Sequence, residues 1–175
     1  MPPFAILIAA VIVITVLIFF ILSYRAVPDE QIYIIERLGS FRCEWQSGIH
    51  FLVPFADRIA GKVSLSEKIT DPFFGPFRTE DGAVVQVPAV IFYQVTDAKQ
   101  YIYSVSAPEK AFEELASVTV CRLISTMDLN TAARSKRDIS RDLTGILDNA
   151  ANIWGINVNS VDVKNIITLE RPGIR

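Results

Sequence analysis

The spacing of hydrophobic positions changes along the chain. From Phe4 to Leu22 the sequence FAILIAAVIVITVLIFFIL has no amphipathic period because it is apolar almost throughout, with Thr15 its one hydroxyl. These 19 residues would reach roughly 28 Å as a helix, close to the bilayer's hydrocarbon thickness of about 30 Å. After the polar exit VPDEQ, the run IYIIERLG reads as a strand ending at Gly39. VSLSEKIT alternates through Val63, Leu65 and Ile69, and TDPFFGPFRTEDG is rich in turn residues. AVVQVPAVIFYQV, Ala83 to Val95, is a long β-type run in which Pro88 predicts an edge position or a bulge.

From Ala107 the period lengthens to that of a helix. Pro108 suits a first helical position, and Phe112, Leu115, Ala116, Leu123 and Met127 recur at helical spacing. A second helix is predicted from about Ser135 to Trp154, with Ile139, Leu143, Ile146, Leu147, Ala150, Ile153 and Trp154 on one continuous face. Gly155 then supplies a left-handed stop. INVNSVDVKNI follows as a strand whose alternation shifts near Ser160. A β-rich first half followed by helix, helix and strand is an α+β order. Residues 1–26 thus read as an N-terminal membrane anchor, with a transmembrane helix at about 4–22, residues 27–167 as the folded domain and residues 168–175 as a tail.

Composition adds little to this picture. The 51% hydrophobic content of the 175 residues is concentrated in the first span, and every Asp, Glu, Lys and Arg lies outside it. A signal peptide wants a basic leader, a shorter apolar core and a small-residue cleavage site, whereas the chain opens MPP and continues SYRAVP. A retained anchor is the expectation. Arg25, Arg37 and Arg42 follow the span and no charged side chain precedes it, so the C-terminal part is expected on the cytoplasmic side of the plasma (inner) membrane. A net charge of −2 without a Lys/Arg run leaves no nucleic-acid footprint. Cys43 and Cys121 match neither a zinc nor a thioredoxin spacing and are expected as unpaired thiols.

No catalytic constellation is visible. His50 is the one histidine, no carboxylates show ligand-like spacing around it, and there is no G-x-S-x-G elbow or Gly-rich phosphate loop. Cys43 and His50 could form a thiolate pair, but no third orienting group can be named. No catalytic, cofactor-binding or metal residues are assigned, and no cofactor or small-molecule substrate is expected. One segment stands out for another reason. In SGIHFLVPFADRI, Ser47 to Ile59, five apolar residues with Pro54 among them precede a polar ADR. The run is too short to span a bilayer and awkward as a central strand.

An N-terminal anchor followed by ERLGSF, GIHFLVPFADRIAGKVSL, VIFYQVTDA and WGINVNSVDVKNI, in that order, resembles the SPFH (band 7) superfamily. The likeness is to its stomatin/prohibitin-like members and runs from about Pro28 to Ile167. It implies a β-rich first half and an α/β second half held against a membrane surface. It further implies a non-enzymatic scaffold that self-associates laterally and organises integral membrane proteins such as proteases or channels. In relatives the segment matching Gly48 to Arg58 lies near the membrane. Phe51, Leu52 and Phe55 would then face lipid headgroups or a neighbouring subunit, with Pro54 holding the run out of any sheet. The alternative is that these side chains fill the domain's own core.

The chain departs from the pattern at Ser47-Gly48, where relatives carry Pro-Gly, and at Pro88, where they often carry an aspartate. Relatives also continue into a long C-terminal coiled-coil helix, whereas this sequence runs to TLERPGIR. Weak lateral clustering is the corresponding expectation. Two other readings stay open: a short regulatory or vestigial form that co-assembles with a full-length relative, and a membrane-bound hydrolase. A full-length homologue in the same genome would favour the first, and turnover of generic esterase or protease substrates the second.

Overall fold

The computed structural model describes residues 3–170, without the side chains at positions 3, 5–7, 9 and 22. Most of the C-terminal tail expected at 168–175 lies outside the described residues. The chain divides into two compact units, Met1–Ser64 and Leu65–Arg175.

The first unit opens with helix α1, Pro3–Ser23, which carries no acidic residue in its first turn and no basic residue in its last. It runs without a linker into strand β1, Tyr24–Val27. β2 (Gln31–Arg37), β3 (Ser40–Trp45), β4 (Gly48–Phe51) and β5 (Asp57–Ser64) follow. β1 pairs antiparallel with β4, and the other three form a sheet in the order β3-β2-β5. The turn between β2 and β3 is Leu38-Gly39, with φ of 52° and 85°. Positive φ at both central residues is the hairpin geometry that matches strand twist, and it normally selects Asn-Gly or Asp-Gly. Val27, Tyr33, Ile35 and Trp45 form a small core against which Cys43, Leu52 and Ile59 pack.

The second unit contains β6 (Lys68–Thr70), β7 (Phe73–Arg78), β8 (Val84–Val95), α2 (Ala98–Tyr103), α3 (Pro108–Ser125), α4 (Leu129–Arg134), α5 (Lys136–Ala151), β9 (Ile156–Val163) and β10 (Ile167–Glu170). β8 pairs antiparallel with β6, β7, β9 and β10. The valine-rich run is therefore the central strand, against the edge position that Pro88 predicts. The register explains how a proline is accommodated there. β7 covers β8 as far as Pro88 and β6 covers 91–93, while on the opposite side β10 covers 84–86 and β9 covers 89–95. Both neighbours of β8 thus change strand beside Pro88. The backbone there is satisfied by single bonds, Ala89 N–H to Pro72 C=O at 3.2 Å and Lys164 N–H to Pro88 C=O at 2.9 Å.

Helix α5 ends at Ala151 and a 3₁₀ turn over Asn152–Trp154 completes the predicted helical stretch. Its buried face is narrower than its periodicity implies. Ile139, Leu143, Leu147 and Ala151 are buried, spaced by four, whereas Ile146 and Ile153 are exposed. Met127 falls beyond the end of α3, and Ile69 points to solvent. Gly155 does take the left-handed conformation, φ 69°, and a Cβ there would lie 2.3 Å from the Asp97 carbonyl oxygen. The hitch in the last long strand is a bulge at Asn159, since Val158 pairs with Tyr93 and Ser160 with Phe92.

Candidate interfacial site

The apolar run Phe51–Phe55 is positioned by the first residues after α1. Across the β1–β4 pair, Tyr24 lies opposite Phe51 and Val27 opposite Gly48. One residue further, the Leu52 amide donates to the Ser23 carbonyl at 2.8 Å, so the run begins against the last turn of the helix. Ser23 is itself buried, its hydroxyl donating to the Phe19 carbonyl at 2.8 Å. The Phe51 ring stands edge-on to Phe20 and to Tyr24, with centroids 6.4 Å away in each case. Phe19, Phe20, Ser23, Phe51, Leu52 and Val53 line an apolar hollow of about 260 Å³.

After Leu52 the chain turns sharply. The Val53 carbonyl accepts from Ala56 at 3.3 Å and from Asp57 at 2.9 Å, and Phe55 sits at the tip with φ 68°. Its side chain is wholly solvent-exposed. A second tight turn adjoins this one: the Leu38 amide donates to the Ala56 carbonyl at 3.1 Å, and Leu38 is 85% exposed. Both residues are large, apolar and in a backbone region that bulky L-residues avoid, at roughly 1–2 kcal/mol each. Something must hold them there.

Asp57 does so. Its carboxylate is fully buried and accepts from Arg37 Nε at 2.6 Å and Nη2 at 3.1 Å, from Arg42 Nη1 at 2.8 Å, and from the Val53 amide at 3.1 Å. The Arg37 hydrogen bond holds the carboxyl below the usual carboxylate range against the opposing effect of burial, with the Val53 amide and the Arg charges adding to it. Arg37 is in turn pushed up, chiefly by the same hydrogen bond. One carboxylate thereby ties the Val53–Asp57 turn to both strands of the β2–β3 hairpin. Nearby, Arg58 pairs with Glu36 at 2.7 Å.

The three residues singled out in the sequence separate here. Phe51 and Leu52 meet at the end of α1, Phe51 outward and Leu52 partly covered against the core, while Phe55 stands alone on its turn. Pro54 lies between β4 and β5, in neither strand. Leu38, Val53 and Asp57 were not singled out. The signal for Leu38 is present in ERLGSF, where Leu-Gly occupies a two-residue turn, but the pairing of the two turns is tertiary. His50 faces different partners from a thiolate: its ring stacks on Trp45 at 4.9 Å and its Nε2–H donates to the Gln46 carbonyl at 2.8 Å. Both cysteines are free. Among the described residues no group of three or more His, Cys, Asp or Glu could hold a metal ion. In the second unit, Lys68 and the Tyr101 hydroxyl both donate to Glu109, at 2.7 and 3.0 Å, which keeps that carboxyl low and fastens β6 to α3.

A match to the SPFH domain / Band 7 family covers residues 25–170, most of the chain and both units. The chain belongs to the SPFH domain / Band 7 family. Relatives of this SPFH protein include an uncharacterized protein of Mycobacterium tuberculosis strain H37Rv, 31% identical over 157 residues that make up 90% of this chain and 41% of that one. An uncharacterized protein of Methanocaldococcus jannaschii is 34% identical over 133 residues, 76% of this chain and 66% of its own. Mitochondrial stomatin-like protein 2 of Rattus norvegicus is 26% identical over 140 residues, 80% of this chain and 40% of its own. The chain thus spans about 41% of the mycobacterial relative and 40% of the rat one.

Proposed function

We propose that this SPFH chain is a membrane-anchored scaffold of the stomatin type, which self-associates laterally and organises integral membrane proteins such as proteases or channels. The observation that carries the reading is the unbroken passage from α1 into β1, whose pairing with β4 brings Phe51 against Phe20 at the helix end. An apolar helix that joins the folded domain directly at its own last turn supports the reading of a domain held close to a bilayer. Among the described residues no helix is long and apolar enough to cross a membrane. Six side chains of α1 lie outside that description, however, and the full helix sequence runs 21 residues without a charge. At 1.5 Å per residue it extends about 31 Å, which supports a span. Orientation rests on fewer charges than the sequence offers. Arg37 and Arg42 are both engaged with Asp57, leaving Arg25 as the exposed arginine nearest the helix. A cytoplasmic domain remains the proposal on that basis.

The reading is tested by reconstituting the chain in lipid vesicles and washing at high pH. Retention in the membrane pellet is expected, because withdrawing an apolar helix of this length exposes a large hydrophobic area to water. Chemical cross-linking in the same vesicles should give a ladder of multimers. Release into the alkaline supernatant would remove the anchor, and a cross-linking pattern confined to monomer would remove the scaffold.

A further inference from the structure

The rim of the first unit holds a hollow that the apolar run does not line. Tyr24, Arg25, Ala26, Tyr33, Ile59 and Lys62 enclose about 480 Å³, within the range of small-ligand pockets, and none of these side chains is acidic. The register explains how two cations come to share it. Tyr33 on β2 lies opposite Lys62 on β5, and Ile35 lies opposite Ile59. The irregularity between Ile34 and Ile35 thereby puts Ile59 and Lys62 on one face, that of the Tyr33 and Ile35 core. Pleat alternation puts Arg25 on the face of β1 that carries Val27, which belongs to the same core. Both cations thus stand on the inward faces of their strands, and both remain exposed.

Their charges are unmatched: among the described residues neither Arg25 nor Lys62 forms an ion pair. Lys62 Nζ lies 4.9 Å from the centre of the Tyr33 ring. Across the β1–β4 pair Arg25 stands opposite His50, whose ring is stacked on Trp45. Tyr33 adds a donor. It is only 7% exposed and its hydroxyl bonds to no described residue, yet no described buried side-chain polar atom lacks a partner. The hydroxyl is therefore open to solvent, on the side of the hollow that Tyr33 lines.

We propose that this hollow binds a phosphate group between the Arg25 guanidinium and the Lys62 ammonium, with the Tyr33 hydroxyl as a third donor. Arginine offers a planar fork that takes two oxygens, lysine a compact point charge and tyrosine a single O–H. A carboxylate would be satisfied by the fork alone. Donors brought in from β1, β2 and β5 suit a tetrahedral anion, which has oxygens on every side. A phospholipid headgroup and a soluble phosphate ester both present that chemistry, and the experiment separates them. The inference does not depend on the reading of α1 as an anchor.

The test measures acetylation of Lys62 by a water-soluble N-hydroxysuccinimide ester, read by mass spectrometry, with the exposed Lys164 of the second unit as internal reference. For the full chain in detergent micelles the probes are inorganic phosphate and glycerol phosphate, against potassium chloride of equal ionic strength. In nanodiscs the probe is phosphatidic acid, replacing part of the phosphatidylcholine. Lys62 labelling should slow severalfold and saturably, relative to Lys164, in at least one arm. Protection by the free phosphates in micelles supports the site with a soluble ligand. Protection confined to phosphatidic acid nanodiscs supports it with a lipid headgroup. Arg25→Gln should abolish the protection, and Arg25→Lys, which keeps the charge and loses the fork, should weaken it. Absence of protection of the unsubstituted chain in both arms overturns the proposal and leaves Lys62 as a charge that guards the free edge of β5. Protection that is equal at Lys164, or undiminished in Arg25→Gln, also overturns it.

Discussion

Asp57 concentrates more of the first unit's order than any one residue of the apolar run beside it. A buried carboxylate with two guanidinium partners and a backbone donor is costly to break, because removing one side leaves charge uncompensated. Its depressed pKa gives the sign of the pH dependence. The contribution is fully present above the unfolded value of about 3.9 and is lost as pH falls through the lower folded value. The unfolding midpoint in urea, followed through Trp45 emission in detergent, should therefore decline as pH is lowered from about 5 to about 2.5. In Asp57→Asn the midpoint should be lower at neutral pH and the acid-side decline flatter. An unchanged slope would place the acid sensitivity elsewhere. The strained tips belong to the same scale. Leu38 stands where a hairpin turn would ordinarily take Asn or Asp, and the sequence reading, which runs the strand on to Gly39, does not register it as a turn residue.

At the scale of elements, α5 shows how periodicity and packing divide the work. Its buried stripe of Ile139, Leu143, Leu147 and Ala151 repeats every fourth residue, the spacing that places side chains on one face. One position after each of the first three lies a polar residue. Ser140 Oγ accepts from Val163 N–H at 3.1 Å, Thr144 Oγ1 from Val161 N–H at 3.0 Å and Asp148 Oδ1 from Val158 N–H at 3.0 Å. These amides lie on β9, which pairs with β8 on its other side, so the helix closes the open edge of the sheet against strand addition. Leu143→Ala should destabilise the second unit by about 2–5 kcal/mol. Ile146→Ala, on the exposed side of the same helix, should stay within about 0.5 kcal/mol. Asp148→Ala should cost about 1–3 kcal/mol by orphaning the Val158 amide. Denaturant unfolding of the three variants separates these outcomes, and equal losses at 143 and 146 would mean that the buried stripe is misassigned. Pro88 teaches the complementary lesson. A proline in a central strand is tolerated because the strands on either side change over beside it, which no property of β8 alone announces.

At the scale of the whole molecule, the two units carry cores of different size. The first closes over Val27, Tyr33, Ile35 and Trp45, whereas the second buries a helix face, one whole face of β8 and the inward valines of β9. Apolar burial is the dominant favourable term in folding, so the first unit is expected to unfold at lower denaturant concentration. The chain offers one reporter in each, Trp45 and Trp154. In Trp154→Phe the emission should change at lower denaturant than in Trp45→Phe, and coincident transitions would show that the units unfold as one. Addition of lipid should stabilise the first unit selectively if α1, which belongs to it, is held in the bilayer, since a ligand bound only by the folded form raises its stability.

The order of the longest elements, the apolar helix, the left-handed stop at Gly155, the bulge in the last long strand and the family were legible in the sequence, whereas the short β1, β3, β4, α2 and α4 were not. The legible features rest on local period, on glycine and proline chemistry, or on ordered short motifs, each readable within a few residues. The membership of Phe51, Leu52 and Phe55 in one apolar run was equally legible, but their separate fates were not. Exposure depends on which side of a turn a residue occupies and on what the rest of the chain brings against it. Tertiary structure alone decided that Leu52 turns in while Phe51 and Phe55 turn out. It alone joined Leu38 to Phe55 through Asp57, residues drawn together by hydrogen bonds between segments that share no local pattern. Period fixes the identity of an element over a few residues, whereas the pairing of two turns depends on sheet register, which is set by the chain as a whole.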